Sequence, residues 1–159
     1  MLELGSGTGR DALLLEARGL VVERTDATRA FVDMLRRGGH DARVVNALTD
    51  DLGGPYAGVL ANAVFLHFDD RELRLVLRRV RASLAADGVV AFTVKEGDGA
   101  GWSTDKLGAP RHFTYWQPDP LCRLLEDEGW LCELLTRHTG GDRSGIFVIA
   151  RPAHAEENP

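Results

Sequence analysis

The chain has 159 residues, 44% of them hydrophobic, which suits one compact domain with its own core and no metal or disulfide support. A formal net charge of −5 gives no general field for a phosphate backbone or an anionic membrane surface, so neither nucleic acid nor membrane is an expected partner. Cys122 and Cys132 form no Cys-x-x-Cys pair and have no histidine cluster at zinc-ligand spacing, so two reduced thiols and no metal site are expected.

No apolar run approaches the roughly 20 residues of a membrane span, and the first residues lack a basic segment followed by an apolar one. A cytoplasmic location is the expectation. Residues 1–152 read as one domain and 153–159 as a short, polar, flexible tail.

Met1 to Leu4 reads as a short apolar strand. It runs into Glu3-Leu4-Gly5-Ser6-Gly7-Thr8-Gly9 and then a helical stretch, Asp11 to Arg18. Glycines at such a turn let the backbone bend sharply and approach a ligand, while the following helix N-terminus offers unpaired N–H donors. The next strand has its apolar run at Leu20 to Glu23 and ends at Asp26. Thr28 then serves as an N-cap for a helix carrying Phe31, Met34 and Leu35 on one stripe and stopped by Gly38 and Gly39.

Ala42 to Val45, Gly58 to Ala63 and Val89 to Val94 are the remaining central strands, the last two apolar enough to be buried on both faces. Between them lies the strongest helix, Asp69 to Ala86. It has Leu73, Val76, Leu77, Val80 and Leu84 on one face, Asp69 and Glu72 at capping-box spacing, and Gly88 as its stop. Lys95 to Gln117 shows no regular period but clusters Trp102, His112, Phe113, Tyr115 and Trp116, which suggests an ordered lid over a pocket. Pro118 and Pro120 open a helix with Leu121, Leu124 and Leu125 on its face, ended by Gly129. Leu131 to Thr139 and Ile146 to Ala150 flank a turn-rich stretch and read as a terminal hairpin. The alternation of strands and helices implies an α/β fold, Rossmann-like and doubly wound, with a mostly parallel sheet and a C-terminal antiparallel β-hairpin.

A dinucleotide fingerprint Gly-x-Gly-x-x-Gly starting at Gly5 requires glycine at position 10, which is Arg10. The glycines instead recur at every second residue, and Asp26 lies 21 residues after Gly5, near the spacing of about 20 at which an acidic side chain reaches ribose hydroxyls. With Glu3 two positions before the first glycine, the chain resembles the class I S-adenosylmethionine (SAM)-dependent methyltransferases. The resemblance implies SAM as cofactor, with Gly5, Ser6, Gly7 and Gly9 at its methionine and ribose, Asp26 on the ribose and Ala27 against the adenine.

It continues through Asn46-Ala47-Leu48, where the family contacts the adenine edge, and through Leu60 to His67, including Asn62. Leu84-Ala85-Ala86-Asp87-Gly88 also fits. Lys95-Glu96-Gly97-Asp98-Gly99 and Arg111 to Trp116 resemble a small bacterial subgroup, most of whose acceptors are unassigned. Position 46 is Asn where many relatives carry Asp; an amide oxygen still bonds adenine.

Simpler roles remain open at several positions. Asp26 serves equally as a helix cap, Asn46 and Asn62 as turn residues, and Lys95 and Glu96 as a surface ion pair. His67, Lys95, His112 and Tyr115 are the candidate pocket residues for a small-molecule acceptor, and none is assigned as catalytic. The family normally has a helical segment ahead of the first strand that closes over SAM. Its absence here is read as a fragment, a late start or a cover supplied by a partner chain, which leaves a homodimer open. The expected function is methyl transfer to a small molecule. The alternatives are a non-catalytic ligand-binding or dimerising domain and, disfavoured by Arg10 and the terminal hairpin, an NAD(P)-dependent oxidoreductase.

Overall fold

In a computed structural model of the chain, residues 1–104, 110–140 and 143–153 are described. The first strand, β1 (Leu2–Leu4), sits between β2 (Glu23–Asp26) and β4 (Tyr56–Ala61), parallel to both, and β3 (Ala42–Val44) continues beyond β2. On the other side β5 (Leu84–Glu96) pairs in parallel with β4. The far edge of β5 pairs with β9 (Arg143–Pro152), antiparallel over 90–95, and β9 pairs with β8 (Trp130–Gly140). The α/β class, the mostly parallel sheet and the C-terminal hairpin are therefore as expected. Strand order reverses at β1, so the ends of β1 and β4 diverge into a crevice where open α/β sheets bind ligands.

The right-handed rule for parallel crossovers assigns α1 (Arg10–Glu16) and α2 (Arg29–Arg37) to one face and α3 (Asp70–Ser83) to the other, and the buried residues of α2 and α3 fall in separate core clusters. Leu73, Val76, Leu77 and Val80 of α3 join Leu121, Leu124 and Leu125 of α4 (Pro118–Asp127) and the Val90, Phe92 and Val94 side of β5 in the main core. Asp69 caps α3 in a complete capping box with Glu72, as its spacing predicted.

Several boundaries differ from expectation. The second strand is not Leu20 to Glu23 but Glu23–Asp26, because pairing with β1 starts at Leu2↔Glu23 and leaves Leu20 and Val21 exposed. In α2 the buried pair is Val32 and Leu35, packed on Ala42, whereas Phe31 and Met34 face solvent. Thr28 is its N-cap by position, without a side-chain cap hydrogen bond. Helix α3 ends at Ser83 rather than Ala86, since Leu84 already pairs with Tyr56 as the first residue of β5. Gly88 therefore lies inside β5 and is not the helix stop. Nor is β5 buried on both faces: Val89, Ala91 and Thr93 are only half-buried.

The largest correction concerns 95–117, where the expected irregular lid is a hairpin. Strand β6 (Ala100–Ser103) pairs antiparallel with β7 (Arg111–Trp116), and β7 joins the end of β5 through Lys95↔Tyr115 and Glu96↔Trp116. Residues 105–109, 141–142 and 154–159, with His154, lie outside the described residues. Among the described residues no helix is long and apolar enough to cross a membrane.

Candidate functional site

The turn after β1 is held by β2. Ser6 N–H donates to the Thr25 carbonyl at 2.8 Å, Thr25 Oγ1 donates to the Glu3 carbonyl at 2.7 Å, and Gly9 N–H donates to the Ser6 carbonyl at 2.7 Å. Asp26, at the end of β2, completes the closure. Its two carboxylate oxygens accept from Gly7 N–H at 2.9 Å and Thr28 N–H at 2.7 Å. The side chain thus shapes the glycine turn and caps α2 at once, and each oxygen keeps a lone pair for a further donor.

Gly7 has φ 51, and a Cβ built on it meets nothing within 4 Å. The turn therefore presents a bare backbone surface to open space at the switch point. Glu3 and Ser6 are buried beside it, and Glu3 Oε2 and Ser6 Oγ have no hydrogen-bond partner. Burial pushes the Glu3 carboxyl above its ordinary range; the nearby Ser6 hydroxyl, Arg24 and the Ala12 backbone only partly oppose this, and Asp11 adds to it.

The segment after β3 is a compact turn. Asn46 Oδ1 accepts from Leu48 N–H at 3.0 Å, and Asn46 N–H donates to Asp50 Oδ2 at 2.9 Å. Ala47 is buried, Leu48 packs against the main core, and the Ala47 carbonyl accepts from Arg79 Nε at 3.0 Å. Asn46 thus takes the turn-forming role, with its amide nitrogen still a donor. Ala27 is exposed directly after Asp26.

At the end of β4, Asn62 Nδ2 donates to Asp11 Oδ2 at 2.7 Å, and Thr93 Oγ1 donates to Asn62 Oδ1 at 3.0 Å and accepts from Ala63 N–H at 2.7 Å. Ala63 stands at φ 57. Asp11 and Thr93 escaped sequence reading because they meet only where the fold brings Asn62, after β4, beside α1 and β5. A cavity of about 290 Å³ lined by Leu14, Leu15, Leu60 and Phe147 opens beside this trio.

Of the four candidate acceptor residues, His67, Lys95 and Tyr115 are linked through side-chain contacts around Phe113, and His112 joins them through its backbone carbonyl. His67 ends a single 3₁₀ turn, Phe65–His67, and its Nδ1 lies 2.7 Å from the His112 carbonyl. Its ring centroid is 4.9 Å from that of Phe113, over which Lys95 Nζ sits at 3.6 Å. Lys95 also lies 5.4 Å from the Tyr115 ring centroid, and Trp102 meets His112 edge-on at 5.5 Å. Arg111 and Phe113 were not among the candidate pocket residues; the Arg111 guanidinium carbon is 5.3 Å from the same Phe113 ring. Desolvation lowers the His67 pKa against the opposing His112 carbonyl, and Arg111, Lys95 and His112 lower it further. Glu96 is not a partner of Lys95 in an ion pair of neighbours; it pairs with Arg137.

The chain matches the model of the methyltransferase-domain family over residues 1–134. No curated protein matches it. Solved structures share the fold, among them a SAM-dependent methyltransferase from Methanosarcina mazei, 15% identical with TM-score 0.84, covering 97% of this chain and 92% of that one. The 1,6-didemethyltoxoflavin-N1-methyltransferase of Burkholderia thailandensis, with bound 1,6-didemethyltoxoflavin and S-adenosylhomocysteine, is 21% identical with TM-score 0.78, covering 96% of this chain and 70% of that one. The DhpI–SAM–HEP complex is 21% identical with TM-score 0.76, covering 95% and 77%.

Proposed function

The chain belongs to the methyltransferase-domain family, and from that we propose that it transfers a methyl group from SAM to a small-molecule acceptor. The observation that carries the reading is the turn of Gly5, Gly7 and Gly9 at the strand-order reversal. It leaves open space at Gly7 and buried, unpartnered polar atoms on Glu3 and Ser6. These residues fit an adenosyl amino acid: a bare backbone for close approach, and polar groups beneath it.

Asp26 would hold the ribose hydroxyls with its remaining lone pairs. Ala27, Ala47 and Leu48 would flank the adenine, and Asn46 would bond its edge. Asn62, anchored by Asp11 and Thr93, would border the methionine end together with the glycine turn. When bound, SAM supplies an electrophilic methyl carbon on a sulfonium. The chain's part is to orient it and to hold the acceptor's nucleophilic atom in line, where positioning contributes most of the rate. His67, Lys95, His112 and Tyr115, gathered at the ends of β4 and β5, would line the acceptor side. A cytoplasmic location belongs to the same proposal.

Isothermal titration calorimetry with SAM, S-adenosylhomocysteine and NADH tests this. Saturable binding of the two adenosyl ligands alone is expected, weakened about tenfold or more in Asp26→Asn, on the order of the 1.4 kcal/mol that one charged hydrogen bond contributes. Asparagine keeps an acceptor for one backbone N–H, so the folded turn survives the test better than with alanine. Binding of NADH, or of no adenosyl ligand by a folded sample, refutes the reading.

A further inference from the structure

Resting on the proposed methyl transfer, we infer that His67 Nε2 is the general base of this site, and that the acceptor is a small molecule methylated at a neutral O–H or N–H group. A carbonyl oxygen only accepts hydrogen bonds, so the 2.7 Å contact to the His112 carbonyl requires the proton on Nδ1. In the neutral ring the lone pair then lies on Nε2. Among the described residues Nε2 has no hydrogen-bond partner, and it is not one of the buried polar atoms, so solvent reaches it.

The surroundings keep the ring neutral. His67 is half-buried with its ring tilted against Phe113, and among the described residues the charged groups acting on it are cations or a second histidine: Lys95 from β5, and Arg111 and His112 from β7. Each disfavours an imidazolium before reaction, so the base form persists through neutral pH. The arrangement is rigid because β7 joins β5 at Lys95↔Tyr115, which presents the His112 carbonyl to the 3₁₀ turn. A thiolate or carboxylate acceptor has no proton to give and needs no such group; an alcohol, a phenol or the N–H of a neutral amine does.

The step balances. The acceptor oxygen or nitrogen forms a bond to the methyl carbon, the carbon–sulfur bond breaks with its electron pair moving to sulfur, and the acceptor proton passes to Nε2 and then to solvent. Arg111, whose Nε is buried without a partner, stands beside the same ring.

Two readouts test this. Long-range ¹H–¹⁵N correlation spectra of labelled protein, with the His67 ring assigned by His67→Gln, are expected to show an Nδ1–H tautomer at pH 7 that titrates below the ordinary histidine range. A panel of small phenols, alcohols, amines, thiols and carboxylic acids, scored by S-adenosylhomocysteine release, is expected to turn over only among O–H and N–H members. For these, kcat/KM should fall as pH drops through the His67 titration, and His67→Gln should lower kcat about 10²–10⁴-fold with its SAM Kd unchanged. Failure of wild-type SAM binding sinks the underlying methyltransferase reading. With SAM bound, an Nε2–H tautomer, unaltered kcat in His67→Gln, turnover confined to thiols and carboxylic acids, or no turnover across the panel overturns the role of His67.

Discussion

A methyl group added at Gly5 meets Val64 Cγ2 at 2.4 Å, whereas one added at Gly7 meets nothing within 4 Å, although both residues have positive φ. The two positions therefore separate folding from binding. Gly5→Ala combines left-handed strain of roughly 1–2 kcal/mol with overpacking of roughly 1–3 kcal/mol and should lower the urea midpoint clearly. Gly7→Ala carries the strain alone, so its stability loss should be smaller, yet its methyl projects where a ligand would lie. Calorimetric titration with SAM should show the larger affinity loss there. Glu3 adds a pH effect. Its pKa is raised in the folded protein, so burial penalises the ionised carboxyl in the folded state alone. The penalty is full above the raised pKa and fades as pH falls through it toward the ordinary 4.5. Glu3→Gln is thus expected to raise Tm at pH 7 and to converge with the wild type toward pH 4.5; equal Tm values throughout would show that the carboxyl is not penalised.

Helix α3 was legible because its signals are local: a capping box at one end and apolar residues at helical period. Asp69→Ala removes the acceptor for Glu72 N–H, 2.8 Å away, and should cost about 1 kcal/mol in chemical denaturation. Elements positioned by non-local pairing were harder to read. The apolar Leu20 and Val21 suggested a strand, but register with β1 begins at Glu23, and the buried residues there are polar: Arg24, Thr25 and Asp26. Arg24 is tolerated because Glu16 of α1 reaches it at 2.6 Å, a pairing no periodicity announces. The hairpin of β6 and β7 was hidden for the same reason, since its bonds to β5 span about twenty residues and glycines interrupt its alternation. The meeting of His67 with the His112 carbonyl depends on that hairpin, so the sequence could nominate both residues but not the tautomer their contact sets.

On the scale of the whole molecule, the glycine turn and Asp26 were readable in sequence because a sharp strand-to-helix turn with three positive-φ glycines, closed by a carboxylate from the next strand, needs residue types and spacings that few other structures need. What the fold adds is linkage among strands far apart in the chain. Asp26 of β2 bonds Gly7 after β1, and Asn62 after β4 bonds Asp11 of α1 and Thr93 of β5. A ligand seated in this crevice would contact groups that separate when the sheet unfolds, so it binds the folded state alone and stabilises it by mass action. At a hundredfold excess over Kd the gain is about 2.7 kcal/mol. For a chain of this size, each kcal/mol shifts Tm by roughly 2–4 °C, so S-adenosylhomocysteine should raise Tm by roughly 5–10 °C. NADH should leave it unmoved. In Asp26→Asn the shift at the same ligand concentration should shrink, because the weaker Kd enters the same logarithm. A full shift in that variant would mean that adenosyl ligands bind elsewhere on the molecule, and that Asp26 serves the turn and the helix cap alone.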